Sequence, residues 1–484
     1  MTKGRPLHAG AHYPDGRGAR YDVAGARVAA VAGRTPETDE PTRRMMKHRA
    51  RGGETIAQIS EKVAAGLSPV TLAEECLDRI RRDNARLRAM IFVDEKRVLD
   101  DAARAEAEIR AGDHRGPLHG IPIALKDNVD VEGWPTTLGS RLLGDAPARQ
   151  TARCIADLRA QGAIIIGKTN MHELCVGGAA NPWFGKVVNP LDEGCGTGGT
   201  SSGAAAAVAA GFCYAAVGTD SGGSNRSPAA ATGLYGFKPT NGLIDTTGVH
   251  DVAPTFDCVG VLARCVRDTA LVTEALSGRT LPACAPVAGA RIALCPDLTG
   301  AAVDGRVAKA IERWLDRPGI EVIELPFDGR EALVDAGLAV LMHEVGAIYG
   351  ERVRARPDLV GEAARAFLDD CMRVDAARYR EALAVRERFR ARLADWMAGV
   401  DALAVPTSPG LAPRLSDELT SVNGQWVAWG PAGGAFRRWA NMLAMPALAM
   451  PVAVANDLPA SLQLAALPGQ DARLFAVAHF LARG

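Results

Sequence analysis

Apolar residues first recur at helical spacing at about residue 54. The stretches 54–66 and 71–90 place them three and four residues apart, which predicts two amphipathic helices. Thr71 and Glu74 have the spacing of a capping box, so we expect the second helix to begin at that point.

Beyond these helices, short apolar runs alternate with further helical patterns. The apolar runs predict strands at 121–125, 163–166, 215–219, 291–295, 321–325, 402–406, 446–452 and 460–467. Helices are predicted at about 96–111, 151–162, 202–210, 303–317 and 361–398. This alternation is typical of an α/β fold. We therefore predict a single large α/β/α sandwich around a mixed, mainly parallel twisted sheet.

The pattern also divides the chain into a tail and a domain. Residues 1–53 are rich in Gly, Arg, Pro and Ala and show no sustained period, which predicts an N-terminal tail that is disordered or loosely attached. The remainder, 54–484, shows no internal repeat and no linker between halves. We expect it to form one domain.

Composition narrows the possible partners. Lys and Arg total 56, as do Asp and Glu, so the formal net charge is zero and no nucleic-acid partner is indicated. No uninterrupted apolar run reaches the roughly 18 residues that a membrane span needs. The ten cysteines are scattered without a CxxC pair, as expected of reduced thiols in a cytoplasmic protein.

The histidines do not predict a metal site. His343 and Glu344 begin a string like the zinc motif HExxH, but Ala347 occupies the place of the second histidine. We expect no metal ion.

Hydroxyl side chains and glycines are concentrated between Cys195 and Ala230. Two known sequence motifs also match in or near this stretch. Residues 162–169 satisfy the P-loop pattern, but a β-branched run lies inside it where a phosphate-binding loop needs exposed amides. Residues 199–203 satisfy the GxSxG pattern with Ser201 as nucleophile, which would indicate an esterase. The stretch before them is rich in turn residues, whereas that motif follows a strand.

The second hydroxyl cluster does follow a predicted strand. Gly222 and Gly223 allow the backbone amides to turn toward one point, and Ser224 ends that turn. A nucleophile beside such amides suits acyl transfer, although a Gly/Ser surface turn would look the same. Lys126, at the end of an apolar strand, could act as the base, since burial disfavours its charged form. Alternatively, Lys126 is a structural lysine paired with Asp127.

Seven segments, in this order, carry a family resemblance. They are 115–128, 162–174, 181–192, 198–211, 218–230, 233–242 and 458–466. On these motifs the chain resembles the amidase signature family of serine hydrolases over most of 54–484. The resemblance also explains the pattern at 162–169, because the family has a similar sequence there. The segment about 330–440 matches least, so we expect it to face the substrate.

The resemblance implies a role for each matching residue. Ser224 matches the nucleophile, and Lys126 matches the general base. The residue that bridges them, usually a serine in a cis peptide, falls on Thr200, which lies 24 positions before Ser224. A threonine hydroxyl has the same hydrogen-bonding capacity. Ser201 is the alternative bridge, and a cis bond between Gly199 and Thr200 is implied.

The same resemblance implies how substrate is held. The oxyanion would be bound by backbone amides of Ser221, Gly222, Gly223 and Ser224, and Thr200 would also touch the substrate. Cys175 occupies a position that can line the acyl pocket, or it is a core thiol. Aromatic candidates for the pocket walls are Trp183, Trp426 and Trp429.

The implied function is hydrolysis of the C–N bond of a small linear amide through an acyl-enzyme, with no metal and no organic cofactor. Aryl amides and carbamates are the substrates we consider first. The alternatives are the glutaminase subunit of a tRNA-dependent amidotransferase, a GxSxG-type esterase, and a catalytically silent binding protein. We expect a cytoplasmic homodimer with no nucleic-acid and no membrane partner.

Overall fold

The computed structural model describes residues 53–483 apart from 177, 284, 286, 288, 300 and 301. The predicted tail, 1–53, lies almost wholly outside the described residues and stays a prediction. The account below concerns the described part of the chain.

All eight predicted strands are present, together with five that the apolar runs did not reveal. The strands are β1 (Met90–Phe92), β2 (Pro122–Lys126), β3 (Ile164–Thr169), β4 (Ala215–Thr219), β5 (Tyr235–Lys238), β6 (Val259–Ala263), β7 (Ala290–Leu294), β8 (Ile320–Glu324), β9 (Ala402–Pro406), β10 (Leu419–Val422), β11 (Gln425–Ala428), β12 (Ala447–Val452) and β13 (Ala460–Ala465). Those missed are β1, β5 and β6, together with β10 and β11, which form a separate two-stranded hairpin.

Eleven of these strands form one mixed sheet. Its order is β1-β3-β2-β4-β6-β5-β12-β13-β9-β7-β8. Parallel pairing joins β3, β2 and β4 on one side and β9, β7 and β8 on the other, and the remaining neighbours pair antiparallel. Strands β2, β3, β4 and β6 are buried along their whole length, as expected when helices cover both faces. The predicted α/β sandwich is confirmed.

The helices connect the strands and close the sandwich. They are α1 (Ile56–Ala64), α2 (Pro69–Leu87), α3 (Glu95–Arg110), α4 (Arg153–Ala160), α5 (Ser202–Ala209), α6 (Arg226–Thr232), α7 (Val266–Ser277), α8 (Pro296–Thr299), α9 (Gly305–Leu315), α10 (Arg330–Ala355), α11 (Glu362–Cys371), α12 (Ala376–Ala391), α13 (Leu393–Trp396), α14 (Trp429–Met442) and α15 (Asp471–Ala482).

Two details of the predicted helices are wrong. Helix α2 begins earlier than the expected capping box, because Ser68 accepts hydrogen bonds from the amides of Val70 and Thr71 and a proline fills the first turn. The long helix predicted at 361–398 is three helices, α11 to α13. Asp375 begins the second of them by accepting a bond from the amide of Arg378.

Helix α10 was not predicted, because its apolar residues are distributed all round the helix. It is the one helix in the described part that is long and apolar enough to span a membrane, with a mean hydropathy of 1.4. It packs against α11, α12 and α14 and buries side chains such as Leu333, Val340 and Val345. That packing is characteristic of a core helix in a folded domain.

The sheet brings three strand ends together. Strand β2 lies between β3 and β4 and runs parallel to both. Lys126, the last residue of β2, pairs with Thr169, and β4 ends beside it at Thr219. In parallel sheets, ligands bind at such carboxyl ends.

Helix α5 begins against the end of β3 with no space between the backbones. The amide of Gly203 donates to Asn170 O at 3.0 Å. A Cβ at Gly203 would lie 2.3 Å from Ala89 O and 2.5 Å from Asn170 O, which no side chain can occupy. Glycine at this position therefore fixes how closely α5 approaches the sheet.

We expect Gly203→Ala to lower the free energy of unfolding by at least about 2 kcal/mol, since backbone atoms must move to admit the methyl group. The measurement is a urea unfolding curve followed by circular dichroism. Gly430→Ala is the matched control, because Gly430 lies in α14 with no atom within 4 Å of its added Cβ. Equal curves for the two variants would contradict the packing described.

Candidate active site

Lys126 lies at the centre of the candidate site and has hydroxyl groups as partners. Its side chain is completely buried. The Nζ atom donates to Thr200 Oγ1 at 2.9 Å and to Thr219 Oγ1 at 2.8 Å. Asn128 Nδ2 also donates to Thr219 Oγ1, at 3.2 Å, and so helps to position that hydroxyl.

The structural alternative for Lys126, a salt bridge to Asp127, is not what the structure shows. Asp127 pairs with Lys168 instead, at 3.0 Å, and Lys168 also donates to Thr136 Oγ1. Lys168 belongs to the P-loop-like pattern at 162–169, which forms the buried strand β3 and not a phosphate loop. Within the described residues no carboxylate lies within salt-bridge distance of Lys126.

The first hydroxyl loop presents Thr200, and not Ser201, to the lysine. Ser201 is completely buried, and its Oγ donates to Thr219 O at 3.2 Å. Its amide donates to Ser224 O at 3.3 Å, which ties the first loop to the second. The hydrogen bonds of Ser201 therefore stabilise the loop. The GxSxG interpretation needs an exposed serine nucleophile at this position, and Ser201 is buried.

One implied detail of this loop is corrected. The peptide bond between Gly199 and Thr200 is trans, because the described residues contain no cis peptide bond. Trans is the lower-energy form of any peptide bond that does not precede proline. The contact from Lys126 to Thr200 is made with this trans bond in place.

The second loop runs from β4 to α6 and leaves Ser224 partly exposed. The carboxylate of Asp220 accepts hydrogen bonds from the amides of Gly223, at 2.7 Å, and Asn225, at 3.3 Å. The amide of Gly223 therefore already has an acceptor in Asp220, so it is not one of the free amides expected to bind the oxyanion.

Three of the expected oxyanion donors remain. The amides of Ser221, Gly222 and Ser224 have no acceptor among the described residues. The hydroxyl of Ser221 is bound separately, since it donates to Asp257 Oδ1. Burial raises the pKa of Asp257, and the bond from Ser221 acts in the opposite direction.

A buried ion pair holds the second loop. Arg226 and Asp220 are both completely buried and lie 2.9 Å apart. Arg226 also donates to Arg437 O, Gln463 Oε1 and Asn441 Oδ1, at 2.9, 2.6 and 2.7 Å. Burial alone would raise the pKa of Asp220, but Arg226 and Asn441 hold it well below its ordinary value.

Cys175 lies beside the lysine, as the pocket-lining interpretation of this cysteine requires. Burial raises the pKa of its thiol, whereas Lys126 and Thr200 are close enough to the thiol to act in the opposite direction and lower that pKa. Leu174 and Cys175 have φ angles of 52° and 59°, a left-handed turn that directs the thiol to this position.

A neutral histidine completes the surroundings of the lysine. Burial is the main cause that lowers the pKa of His172 to about 3. Its amide donates to Thr200 O at 3.3 Å. His172 therefore adds no positive charge near Lys126 at neutral pH.

The three tryptophans proposed as pocket walls have different positions. Trp429 is buried, and its Nε1 donates to Gly198 O and Ser227 Oγ, so it supports the first loop. Trp183 donates to a Glu173 carboxylate. Trp426, in the exposed hairpin, is 53% exposed. Of the three, Trp429 is the one whose indole hydrogen-bonds to the first loop.

Comparisons with known proteins agree with this geometry. The family model described as Amidase matches residues 71–475. A glutamyl-tRNA(Gln) amidotransferase subunit of Symbiobacterium thermophilum is 32% identical over 470 residues, covering 88% of this chain and 95% of that protein. A crystal structure of an amidase superposes with a TM-score of 0.83 at 31% identity, covering 89% of this chain and 99% of that one.

A second solved structure is equally similar in shape. It is described as a vestigial protein complex that reveals the evolutionary origins of an s-triazine catabolic enzyme. It superposes with a TM-score of 0.84 at 26% identity, covering 89% of this chain and 98% of the other. The chain belongs to the amidase signature family, and it is an enzyme that acts on the C–N bond of amides.

We expect Asp220→Asn to lower the free energy of unfolding by about 3–5 kcal/mol, because it leaves the Arg226 charge buried without a partner. The depressed pKa of Asp220 makes its contribution complete at neutral pH. The difference from wild type should narrow as the pH falls below 3.8, the ordinary Asp value, toward the lower folded value. Urea unfolding at several pH values measures this.

Asp417→Asn is the control for that experiment. Asp417 pairs with Arg414 at the surface, where solvent screens the interaction, so no measurable loss is expected. Similar losses for the two variants would refute the importance of the buried pair.

Proposed function

We propose that the chain hydrolyses a small linear amide with Ser224 as nucleophile, Thr200 as proton bridge and Lys126 as general base. The observation that carries this proposal is the hydrogen bond between Lys126 Nζ and Thr200 Oγ1, made by a buried lysine without a carboxylate partner. Of the other two completely buried lysines among the described residues, Lys168 pairs with a carboxylate and Lys238 donates to Pro239 O and Asn241 Oδ1. Lys126 is the one whose hydrogen-bond partners are all hydroxyl groups.

In the proposed reaction Lys126 acts as the neutral amine. One of its N–H groups keeps its bond to Thr219, while its lone pair accepts the hydroxyl proton of Thr200. Thr200 takes the proton of Ser224, whose Oγ bonds to the amide carbon. When the C–N bond breaks, the proton returns through the same groups to the leaving nitrogen. Water then attacks the acyl-enzyme and releases the acid.

The free amides of Ser221, Gly222 and Ser224 would stabilise the negative oxygen that develops on the carbonyl. Each such donor typically contributes about 3–4 kcal/mol to the transition state. Cys175, beside Lys126 and Thr200, would line the acyl side of the pocket.

For the substrate, the named relatives favour the glutaminase alternative over the aryl amide or carbamate that the sequence suggested first. The match to the amidotransferase protein extends over nearly the whole of that protein. We therefore propose the side-chain amide of glutamine as the first substrate to test, with partner subunits as receivers of the ammonia. The expected homodimer is the competing assembly.

We also propose that 54–484 is one catalytic domain with a substrate-facing segment at about 330–440. That segment contains α10 to α13, the hairpin, and most of α14, which contacts the nucleophile loop through Arg437 O. The cytoplasm is the proposed location. It is supported by the nine described cysteines, all of them free.

We expect Thr200→Val, which replaces the hydroxyl by a methyl group of similar size, to reduce kcat at least about 100-fold with a small change in KM, because proton transfer is interrupted. Thr200→Ser should restore the rate. The measurement is ammonia or amine release at saturating substrate.

Ser224→Ala and Ser201→Ala are the negative and positive controls for that experiment. Ser224→Ala should abolish both turnover and labelling by a fluorophosphonate probe, whereas Ser201→Ala should keep the probe reaction. Retained turnover in Ser224→Ala would sink the relay. Full activity in Thr200→Val would transfer the bridging role to another group.

The substrate proposal predicts that the purified chain releases ammonia from glutamine with a higher kcat/KM than from aryl anilides, alkyl amides or carbamates. The rate on glutamine should rise when partner subunits from the same source are added. A kcat/KM for an anilide or carbamate that is about 100-fold or more above that for glutamine would refute the glutamine proposal. It would favour the aryl amide or carbamate expected from the sequence. Size-exclusion chromatography with light scattering separates homodimer from mixed assembly.

A further inference from the structure

Arg438 is a partly buried cation for which the described residues provide no partner. It lies on α14, and its Nε is fully buried without a hydrogen bond. Unlike Arg437, which donates to Thr407 O, it makes no hydrogen bond or ion pair with any described residue. Burial lowers the pKa of Arg438 to about 10, so the guanidinium is still charged at neutral pH.

The guanidinium lies beside the proposed oxyanion loop. A Cβ placed on Gly222 would be 3.7 Å from Arg438 Nε. Two more glycines border the same side chain: a Cβ on Gly434 would be 2.8 Å from Nη2, and one on Gly337 would be 3.2 Å from Cδ. Glycines from the loop, from α10 and from α14 thus leave the space that this side chain occupies.

The carboxylates around the site are already occupied. Asp220 is bound by Arg226, and Asp257 accepts from Ser221. Glu344, on α10, accepts from Thr255 and from the Tyr379 hydroxyl. None of the three carboxylates forms an ion pair with Arg438.

The Nε atom of Arg438 is removed from water, and a buried polar atom is normally hydrogen-bonded, because its desolvation is otherwise uncompensated. A guanidinium fork matches a carboxylate with two parallel hydrogen bonds. Its position beside Gly222 places such a ligand within a few bonds of the carbonyl that the oxyanion amides would hold.

We propose that Arg438 binds a carboxylate of the substrate, so that the enzyme acts on amides carrying a carboxylate a few bonds from the scissile carbonyl. This inference rests on the proposed function and narrows its substrate class. Glutamine belongs to that class, as do the half-amides of short dicarboxylic acids.

The test compares half-amides of succinic, glutaric and adipic acid with neutral analogues in which an isopropyl group replaces the carboxylate. Wild type should prefer one of the acids by about 30-fold or more in kcat/KM. Arg438→Met should remove the preference while changing the rate on the neutral amide less than about threefold. Arg438→Lys should restore part of it.

Arg388→Met is the matched control, since Arg388 is an exposed arginine on α12 with no ion pair among the described residues. Thermal unfolding checks that Arg438→Met is folded. Equal kcat/KM for acid and neutral analogue in wild type, or equal losses on both in Arg438→Met, would overturn the assignment.

Calorimetric binding of the same amides to Ser224→Ala separates this inference from the proposed function. If Ser224→Ala still hydrolyses these amides, the relay fails; if wild type hydrolyses none of them, the proposed substrate class fails. Tighter binding of the acid that is lost with Arg438→Met would still establish the carboxylate site. No difference in binding between acid and neutral amide would refute it.

Discussion

The ion pair between Asp220 and Arg226 is the interaction on which the arrangement of the site depends. Asp220 binds the amides on either side of Ser224, so its position sets the shape of the loop. Arg226 balances that charge and connects it to α14 and β13. Without the arginine, a carboxylate at this depth would face a large desolvation penalty.

A second constraint is the separation of two buried lysines on neighbouring strands. Lys168 neutralises Asp127, whereas Lys126 is surrounded by hydroxyls. The parallel register of β2 and β3 places their side chains at adjacent strand ends yet gives them different partners. The neutral His172 keeps the neighbourhood of Lys126 from gaining a further positive charge. The two lysines therefore have separate electrostatic environments at neighbouring strand ends.

The sequence was sufficient for most strands whose residues are buried on both faces, because a short, wholly apolar run between turn residues is typical of a buried strand. It missed β5 and β6, which are also buried but whose apolar runs are interrupted by Gly236 and Gly260. It was insufficient for α10, whose apolar residues surround the helix, and for α14, which contains three glycines before Arg437 and Arg438. The periodic signal is weak in α10, whereas in α14 the glycines and Pro431 argue against a helix. The alternation of strands and helices also did not reveal the antiparallel centre of the sheet.

Some residues of the candidate site could likewise be predicted from the sequence, and others could not. Ser224, Lys126 and Thr200 could be proposed as catalytic residues because they lie in recognisable motifs, and the structure brings Lys126 and Thr200 into contact. Thr219 was missed, although its place at the end of a strand just before the second loop was a usable signal. Arg438 could not be found, since a missing partner is a property of three-dimensional packing and no local pattern encodes it.

The partners of Arg226 have a consequence for how the enzyme matures. They lie 211, 215 and 237 positions further along the chain. A ribosome that has just released the nucleophile loop has therefore not yet made the groups that secure it. Large chains fold progressively during synthesis, with the earlier part collapsing first. The loop that carries Ser224 can thus take up its final geometry only after these later segments of the chain have been synthesised.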